Sequence, residues 1–415
     1  MSAPLFADSV ASCPHTAAVI GAGTAGMATA LLLARAGHRV TLFERVAVLS
    51  PVGAGLLLQP TGLYVLERLG LAAQIRASGA RIERLLGTTP VGRIVLDLHY
   101  ADAGLGVHGI GIHRGALSSA LWSAVQATGV TLRLGSEVDL VEQASEHVIV
   151  RQRSVEAGEQ FDLAVIADGT FSQLRSQVAI PHEIAVYPWG AWWTIVRDPE
   201  RRYDGMLRQT YQHASRMLGI MPVGRLAASA TAAMPFVTLF WSVRRVDEAL
   251  LRARGLRAWK EEVLALAPEA EPLTGQIADF DQLIFATYAD VRMFPWHHRR
   301  VVVIGDAAHA TSPQLGQGAN LALVDAAVLA RCLNMHSDIP TALAAYSRAR
   351  RAHLNYYQWA SSLLTPVFQS DARLLPLLRD MFMGVACHMP GARGQMLSTL
   401  TGTNTGLLRG NLKLE

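Results

Sequence analysis

The chain has 415 residues, of which 51% are hydrophobic, enough for one large or two medium domains with a sizeable core. Its net charge of +4 comes from scattered arginines, because Lys260 and Lys413 are the only lysines, and this excludes the basic footprint of a nucleic-acid-binding protein. Cys13, Cys332 and Cys387 lack metal or redox spacing, the N-terminus lacks a signal-peptide pattern, and no uncharged apolar run approaches the ~18 residues of a membrane span. We therefore expect a cytoplasmic protein without a metal site.

A glycine-rich motif near the N-terminus has the spacing of a dinucleotide-binding fingerprint. The apolar strand Ala17–Ile20 leads into the segment Gly21–Gly26, which reads GAGTAG and opens an alanine- and leucine-rich helix. In this motif Gly21 permits a tight turn, Gly23 lets the backbone approach a pyrophosphate, and Gly26 lets helix and strand pack closely.

An acidic residue follows this motif at the expected distance. The next predicted strand, Arg39–Phe43, ends in Glu44 and Arg45. A carboxylate about 20 residues after the glycines binds the ribose hydroxyls in dinucleotide-binding folds. The order of strand, glycines, helix, strand and acid predicts an adenine dinucleotide site.

Residues 301–320 predict a second unit of strand, loop and helix. Val301–Ile304 is a buried strand, Asp306 stands at its end, and Gly316–Asn320 opens a helix. A helix N-terminus preceded by glycines presents free N–H groups and a positive dipole end, which suits a phosphate or a heterocycle that becomes anionic on reduction. We interpret His309 as a structural residue of the intervening loop.

Two further candidates lie between these units. The predicted buried strand Phe161–Ile166 is followed by Asp168 and Gly169, with Arg175 just beyond. An Asp-Gly pair at a strand end is a turn by default, and beside the other segments it is a candidate cofactor contact. Arg114 precedes a predicted helix and could reach a phosphate or a flavin edge.

A different sheet is predicted from about residue 180 to 285, together with residues 80–100. Tryptophan and tyrosine are concentrated there, and an aromatic-rich sheet can form one wall of an apolar pocket. Tyr211 and His213 are the candidate catalytic residues, with a core tyrosine and a surface histidine as the alternative interpretation. The alternating stretches that predict antiparallel strands are Ala191–Val196, Met206–Tyr211, Arg216–Ile220 and Phe236–Val243.

The three motifs, in this order, resemble the class A flavoprotein monooxygenases, the family of p-hydroxybenzoate and salicylate hydroxylases. The resemblance covers nearly the whole chain and implies FAD as the cofactor. The residues that it places at FAD are Gly21, Gly23, Thr24, Ala25, Gly26, Glu44, Arg45, Arg114, Asp168, Gly169, Gly305, Asp306, Pro313, Gly316, Gln317, Gly318, Ala319 and Asn320.

The resemblance also implies a reaction. NADPH or NADH would reduce FAD, O2 would add at flavin C4a to give a hydroperoxide, and one oxygen atom would pass to an aromatic or heteroaromatic small molecule. The family has no separate NAD(P)H domain.

The implied fold is α/β, with a Rossmann-like FAD-binding domain of the glutathione-reductase-like βαβ type, an inserted mixed or antiparallel-sheet substrate domain and C-terminal helices. The expected FAD-binding domain is discontinuous. Its expected segments are residues 1–75, 101–178 and 286–345, while the substrate domain takes 76–100 and 179–285 and the C-terminal helical segment takes 346–415.

Several alternatives stay open from the sequence. The same fold supports epoxidation, N-oxidation, Baeyer–Villiger and halogenation chemistry, as well as non-catalytic flavin binding. Residues 189–195 faintly resemble the halogenase tryptophan motif, but the spacing differs and no lysine lies near the expected pocket. Residues 374–379 predict an amphipathic helix in a core or interface, with peripheral membrane contact as the alternative. Monomer and homodimer are both plausible.

Overall fold

The structure is a computed structural model that describes residues 13–49, 53–153, 155–225, 234–407 and 410–412. In this part of the chain the strands are β1 (Thr16–Ile20), β2 (Arg39–Glu44), β3 (Gly55–Leu58), β4 (Ala80–Thr88), β5 (Ile94–His99), β6 (Gly109–His113), β7 (Thr131–Leu134), β8 (Val138–Gln143), β9 (Val148–Gln152), β10 (Glu159–Phe161), β11 (Leu163–Ile166), β12 (His182–Arg197), β13 (Gly205–Gln212), β14 (Arg216–Gly224), β15 (Phe236–Arg244), β16 (Ile284–Met293), β17 (His297–His298) and β18 (Val301–Val303). The helices are α1 (Thr24–Arg35), α2 (Pro60–Arg68), α3 (Ala72–Ser78), α4 (Arg114–Gln126), α5 (Glu248–Ala253), α6 (Gly255–Leu266), α7 (Glu271–Thr274), α8 (Asp306–His309), α9 (Gly318–Met335), α10 (Ile339–Phe368), α11 (Leu374–Ala386) and α12 (Pro390–Thr401).

A six-stranded sheet carries the nucleotide-binding fingerprint. Its strand order is β17-β18-β11-β1-β2-β7, and the five strands from β18 to β7 pair in parallel. Every residue of β11 and β18 is buried, as expected for a parallel sheet that is covered on both faces. The predicted Rossmann-like βαβ unit is confirmed by β1, α1 and β2.

A nine-stranded sheet forms the second layer. The order is β16-β12-β15-β14-β13-β4-β6-β3, with β5 paired to β4. The four predicted alternating stretches are confirmed as β12 to β15, which pair antiparallel in this sheet, whereas β13 pairs with β4 in parallel. The strands β3 and β6 also belong to this sheet, although the expected boundaries put them in the FAD-binding segments 1–75 and 101–178. The domain boundaries given above remain a prediction.

One predicted strand is divided between two sheets. Phe161 ends β10, which pairs with β9 in a small three-stranded sheet, and β11 begins two residues later in the parallel sheet. Both halves are apolar, so the sequence pattern does not show where the chain changes sheet.

The large sheet has two different faces. Trp192 points into a core that it shares with Trp259 and Val263 of α6. Successive side chains of a strand point to opposite faces, so Trp193 and Ile195 lie on the other face, where Ile195 packs against the neighbouring core. We call this second face the inner face of the sheet, because the C-terminal helices pack on that side.

The C-terminal part of the chain is helical. The helix α10 runs from Ile339 to Phe368, and α12 follows α11. Pro390 at the start of α12 and left-handed Gly402 at its end are the usual helix boundary residues. In the described part of the chain only α9 is long and apolar enough to span a membrane, and 78% of it is buried inside the protein, as in a core helix.

Candidate active site

The three sequence motifs meet at one edge of the parallel sheet. The strands β1, β11 and β18 are neighbours, and the glycine turn, the Asp168 turn and the Asp306 helix follow their carboxyl ends. Ligands of open α/β sheets bind in the crevice outside these ends. The motifs are far apart in sequence, and the topology alone brings them together.

The first turn requires glycine at two positions. Gly21 has φ +102°, and a Cβ on it would overlap the carbonyl oxygen of Ala167. A Cβ on Gly26 would overlap the carbonyl oxygen of Gly21. In contrast, Gly23 has φ −76°, and its missing Cβ faces open space. The close packing assigned to Gly26 is therefore visible in the protein itself, whereas the space at Gly23 is available to a ligand.

The N-terminus of α1 is free to bind an anion. It has no side-chain cap and no acidic residue in its first turn, which includes Thr24 and Ala25. Its N–H groups and the positive end of its dipole therefore face the crevice. The Glu44 carboxylate lies beside this turn and accepts hydrogen bonds from Ala22 N at 2.8 Å and Val46 N at 3.1 Å. Arg45 is exposed.

The carboxylate of Asp168 has an oxygen atom that is available to a ligand. Burial raises the pKa of its carboxyl, although a hydrogen bond from Ser172 and the charge of Arg175 oppose this. Its Oδ1 atom is buried without a hydrogen-bond partner in the described part of the chain. The adjacent Gly169 has φ +91° and open space where a Cβ would lie. Such a carboxylate is suited to accept hydrogen bonds from a hydroxyl-bearing ligand.

Arg175 ties this turn to the third motif. Its buried guanidinium donates to the carbonyl oxygens of Ala307 at 2.6 Å and Thr170 at 3.1 Å. The first and third motifs also approach closely, since a Cβ on Gly305 would lie 2.9 Å from Cβ of Ala25. These contacts hold the three motifs in one rigid arrangement.

The third motif presents its backbone to the crevice. Asp306 is exposed at the start of the short α8, and a Cβ on Gly318 would lie 3.6 Å from its carboxylate. Gly316 is left-handed, and α9 begins two residues later without a side-chain cap. The first turn of α9, which contains Ala319, therefore offers free N–H groups to a ligand. Pro313 is exposed at the beginning of the preceding 3-10 turn.

The side chains of Asn320 and Gln317 are used to hold the loop. Asn320 accepts a hydrogen bond from Gln59 N at 2.8 Å and donates to the carbonyl oxygens of Leu57 and Gly316, both at 3.0 Å. Gln317 donates to Leu400 O at 2.8 Å and to Thr399 O at 3.2 Å. Their backbone can still face a cofactor, but their side chains position β3 and α12.

A buried ionic network under this loop escaped the sequence interpretation. Asp325 of α9 accepts hydrogen bonds from Gly305 N at 2.9 Å, His309 Nε2 at 2.6 Å and Arg350 Nε at 2.7 Å. Burial alone would raise the pKa of Asp325, but the charges of His309 and Arg350 outweigh it and hold that pKa below its usual range. The sequence did contain a signal for this network, namely an aspartate within an otherwise apolar predicted helix. A buried aspartate is rarely left unpaired, so a basic partner could have been expected.

The network continues to the C-terminal helix. Arg350 donates to His353 Nδ1 at 2.5 Å, and His353 Nε2 donates to the carbonyl oxygen of Gly402 at 2.7 Å. Burial, reinforced by the charge of Arg350, lowers the pKa of His353 to about 3. One ring nitrogen of His353 accepts a hydrogen bond and the other donates one, and only a neutral imidazole can do both.

Arg114 lies beside the residues that lead into β3. It starts α4, its backbone N–H donates to Ala54 O at 3.0 Å, and a Cβ on Gly53 would lie 2.8 Å from its Cδ. Burial raises the pKa of Tyr288 to about 12, and the charge of Arg114 opposes this rise. Arg114 therefore sits between the nucleotide-binding segments and the substrate sheet.

Tyr211 and His213 occupy different environments. Tyr211 is buried on the inner face, donates to Gln209 Oε1 at 2.7 Å and lies under the Arg379 guanidinium, 4.7 Å from the ring centroid. Burial raises the pKa of Tyr211 well above its ordinary value. The strand ends at Gln212, and His213 is exposed in a turn with φ 55°. The two side chains therefore do not share a strand face.

The cleft fits FAD. A dinucleotide needs backbone room at the second glycine, a helix N-terminus for the pyrophosphate and an acceptor for hydroxyl groups. Gly23, the uncapped α1 and the unpartnered Asp168 oxygen provide these three features. The fold and the site together define a FAD-binding flavoprotein.

Comparison with known proteins gives the family. A family model described as FAD binding domain matches residues 15–357. The chain is 27% identical over 390 residues to aurachin C monooxygenase/isomerase of Stigmatella aurantiaca, with 89% of this chain and 93% of that protein covered. It is 31% identical over 360 residues to kynurenine 3-monooxygenase of Salinispora arenicola, with 81% and 76% covered. An HpxO variant of Klebsiella pneumoniae complexed with FAD has the same fold, with a TM-score of 0.79 at 20% identity over 94% of this chain and all of that one.

The chain belongs to the class A FAD-dependent aromatic hydroxylases. It is a flavoprotein monooxygenase whose cofactor is FAD, as the three motifs predict. The predicted fold class is likewise confirmed.

Proposed function

We propose that this protein uses NADPH or NADH and O2 to hydroxylate a small aromatic or heteroaromatic molecule in the cytoplasm. The observation that carries the proposal is the close approach of the three motifs. Arg175 hydrogen-bonds to Ala307, while Gly21 lies close to Ala167 and Gly305 lies close to Ala25. In the balanced reaction one oxygen atom enters the substrate and the other leaves as water, while the nicotinamide supplies two electrons. FAD, when bound, supplies the redox chemistry and the activation of O2.

The residues of the chain bind and orient the cofactor. The free N–H groups of α1 and the turn at Gly23 would hold the pyrophosphate, and Glu44 would hold the adenosine ribose. Asp168 would accept a hydrogen bond through its unpartnered oxygen. The N-terminus of α9 would stabilise negative charge that develops on the reduced ring system.

The inner face of the large sheet would form the substrate wall. Trp193 and Phe240 pair across β12 and β15 on this face, and Gly55 of β3 packs over Thr238. An apolar wall excludes water from the reacting atoms and suits an aromatic ring. Kynurenine and aurachin C, which appear in the names of two relatives, are the first compounds to test.

Tyr211 and His213 remain the candidates for a proton-transfer role. The raised pKa of Tyr211 and its bond to Gln209 favour a hydroxyl that stays protonated and orients the substrate or its neighbours. His213 would need access to the pocket from its exposed turn. A pH profile of kcat for Tyr211→Phe and His213→Gln, each compared with the unsubstituted enzyme, separates these roles.

Isotopically labelled O2 provides the test of the reaction. We expect substrate-stimulated oxidation of NADPH or NADH, with one labelled oxygen atom in the product. Oxidation that gives hydrogen peroxide alone with every substrate, or product oxygen that comes from water, would contradict the proposed reaction.

A further inference from the structure

The helix α11 carries its apolar side outward. Leu374, Leu377, Leu378, Met381, Phe382 and Val385 are between 42% and 66% exposed. With 3.6 residues per turn, they fall within an arc of about 160° together with Leu375, which is also exposed. Met389, three residues beyond the end of α11, is exposed as well. Charged side chains are absent from this arc. A helix on the surface of a monomer instead turns its polar side to the solvent and its apolar side to the core.

The polar side of α11 is fixed to the protein. Arg379 is buried, donates to Val367 O at 3.2 Å and His213 O at 2.9 Å, and stacks on the Tyr211 and Phe368 rings. These bonds prevent α11 from turning about its axis to bury its apolar side. The exposed face is therefore a fixed property of the folded chain.

The size of the face matches an interface between two protein chains. The eight side chains together expose on the order of 800 Å², close to the roughly 800 Å² that each partner buries in a standard interface and above the patch expected on a monomer. Leu374, Leu378, Met381 and Val385 follow one another at intervals of four, three and four residues, the spacing of a helix–helix seam.

Charges around the face favour a second protein over a lipid surface. Asp371, just before α11, is paired with Arg244 at 3.2 Å, and Arg393 of α12 is paired with Asp102. A membrane-binding helix instead carries a basic margin that attracts anionic lipids. Arg373, exposed at the start of α11, would lie beside the negative end of the same helix in an antiparallel second copy.

We propose that the exposed face of α11 binds the same face of a second copy of this chain, forming a homodimer with α11 packed antiparallel across a two-fold axis. In such a two-fold dimer both copies use the same face, so no binding face remains free for a third copy. The inference does not depend on the substrate or on catalysis.

Sedimentation velocity of the purified full-length protein tests this arrangement. We expect the unsubstituted chain to have twice the mass of one chain, and Leu378→Glu/Phe382→Glu to have the mass of one chain with an unchanged far-UV circular dichroism spectrum. The control, Val246→Glu/Leu250→Glu, changes two exposed apolar residues outside this face and should remain dimeric. An unsubstituted chain that is monomeric at micromolar concentration, or a dimer that both double variants leave intact, would overturn the proposal.

Two further measurements fix the orientation and the occupant. Met381→Cys in a Cys13→Ser background should form an intermolecular disulfide on mild oxidation, because this residue would lie near the two-fold axis. A monomer that sediments with anionic phospholipid vesicles, and loses this property in Leu378→Glu/Phe382→Glu, would assign the face to a membrane and contradict the dimer.

Discussion

Two glycines near the start of α1 have different reasons to be glycine. At Gly26 a Cβ would overlap the chain itself, whereas at Gly23 the backbone angles suit any residue and the added carbon would point into open space. The first constraint therefore belongs to the fold, and the second belongs to the cofactor. Sequence analysis assigned both roles from spacing, and only the structure shows that they can be separated.

Alanine substitutions should separate them experimentally. We expect Gly23→Ala to change the free energy of unfolding of the apoprotein by less than about 1 kcal/mol, since Ala is only a somewhat poorer N-cap, yet to lower FAD affinity by about tenfold or more. Gly26→Ala should lower both the free energy of unfolding and the FAD affinity. Urea unfolding and flavin fluorescence titration measure the two quantities. Unchanged FAD affinity in Gly23→Ala would show that the pyrophosphate does not approach this turn.

His353 should make stability depend on pH. Its pKa is lowered to about 3 in the folded protein, against 6.5 when unfolded, so below pH 6.5 the unfolded chain binds a proton that the folded chain does not. The stability associated with neutral His353 is therefore present above pH 6.5 and falls by about 1.4 kcal/mol per pH unit as the pH drops towards 3.

His353→Gln removes this titration while keeping an amide that can donate and accept. We expect the variant to be less stable than the unsubstituted protein at pH 8 and the difference to shrink at pH 5, as measured by urea unfolding. His388→Gln, at an exposed site, is the control and should leave the pH dependence unchanged. A constant difference across this range for His353→Gln would mean that the histidine is not held neutral.

The helix α9 links the cofactor loop to the C-terminal helices. Its N-terminus faces the crevice, while Asp325, two turns further on, binds Gly305 N, His309 and Arg350. Asp325→Asn should lower the free energy of unfolding by about 3 kcal/mol or more, because Arg350 would remain buried without its anion. Asp338→Asn at the exposed N-cap of α10 is the control and should change it by about 1 kcal/mol or less. Equal effects in urea unfolding would contradict a buried ion pair.

Elements with local signals were predictable, and elements defined by distant contacts were not. The βαβ unit and the strands β12 to β15 follow from glycine spacing and alternation, and the structure confirms them. The division of the chain between β10 and β11, and the entry of β3 and β6 into the large sheet, depend on pairing partners that a single sequence does not identify. The helix α12 has local signals at its two ends, Pro390 at its start and Gly402 after its last turn.

The complete molecule builds its site from four separated parts of the chain. Three carry recognisable motifs, so they could be assigned before the structure was known. The fourth is the C-terminal region, whose carbonyl groups at Thr399, Leu400 and Gly402 accept bonds from Gln317 and His353. Backbone acceptors have no side-chain signature, so their part in holding the cofactor loop was invisible in the sequence. The proposed contact through α11 would extend this C-terminal region into the dimer.

An absorbance spectrum of the purified protein, followed anaerobically after addition of NADPH or NADH, tests whether the protein binds FAD and accepts electrons from a nicotinamide nucleotide. We expect a two-banded flavin spectrum that one of the nucleotides bleaches, faster when an aromatic substrate such as a quinolone is present. A colourless protein that cannot be reconstituted with FAD would contradict the cofactor assignment and every role derived from it. Bound flavin that neither nucleotide reduces with any aromatic compound would contradict the proposed NAD(P)H-dependent reaction.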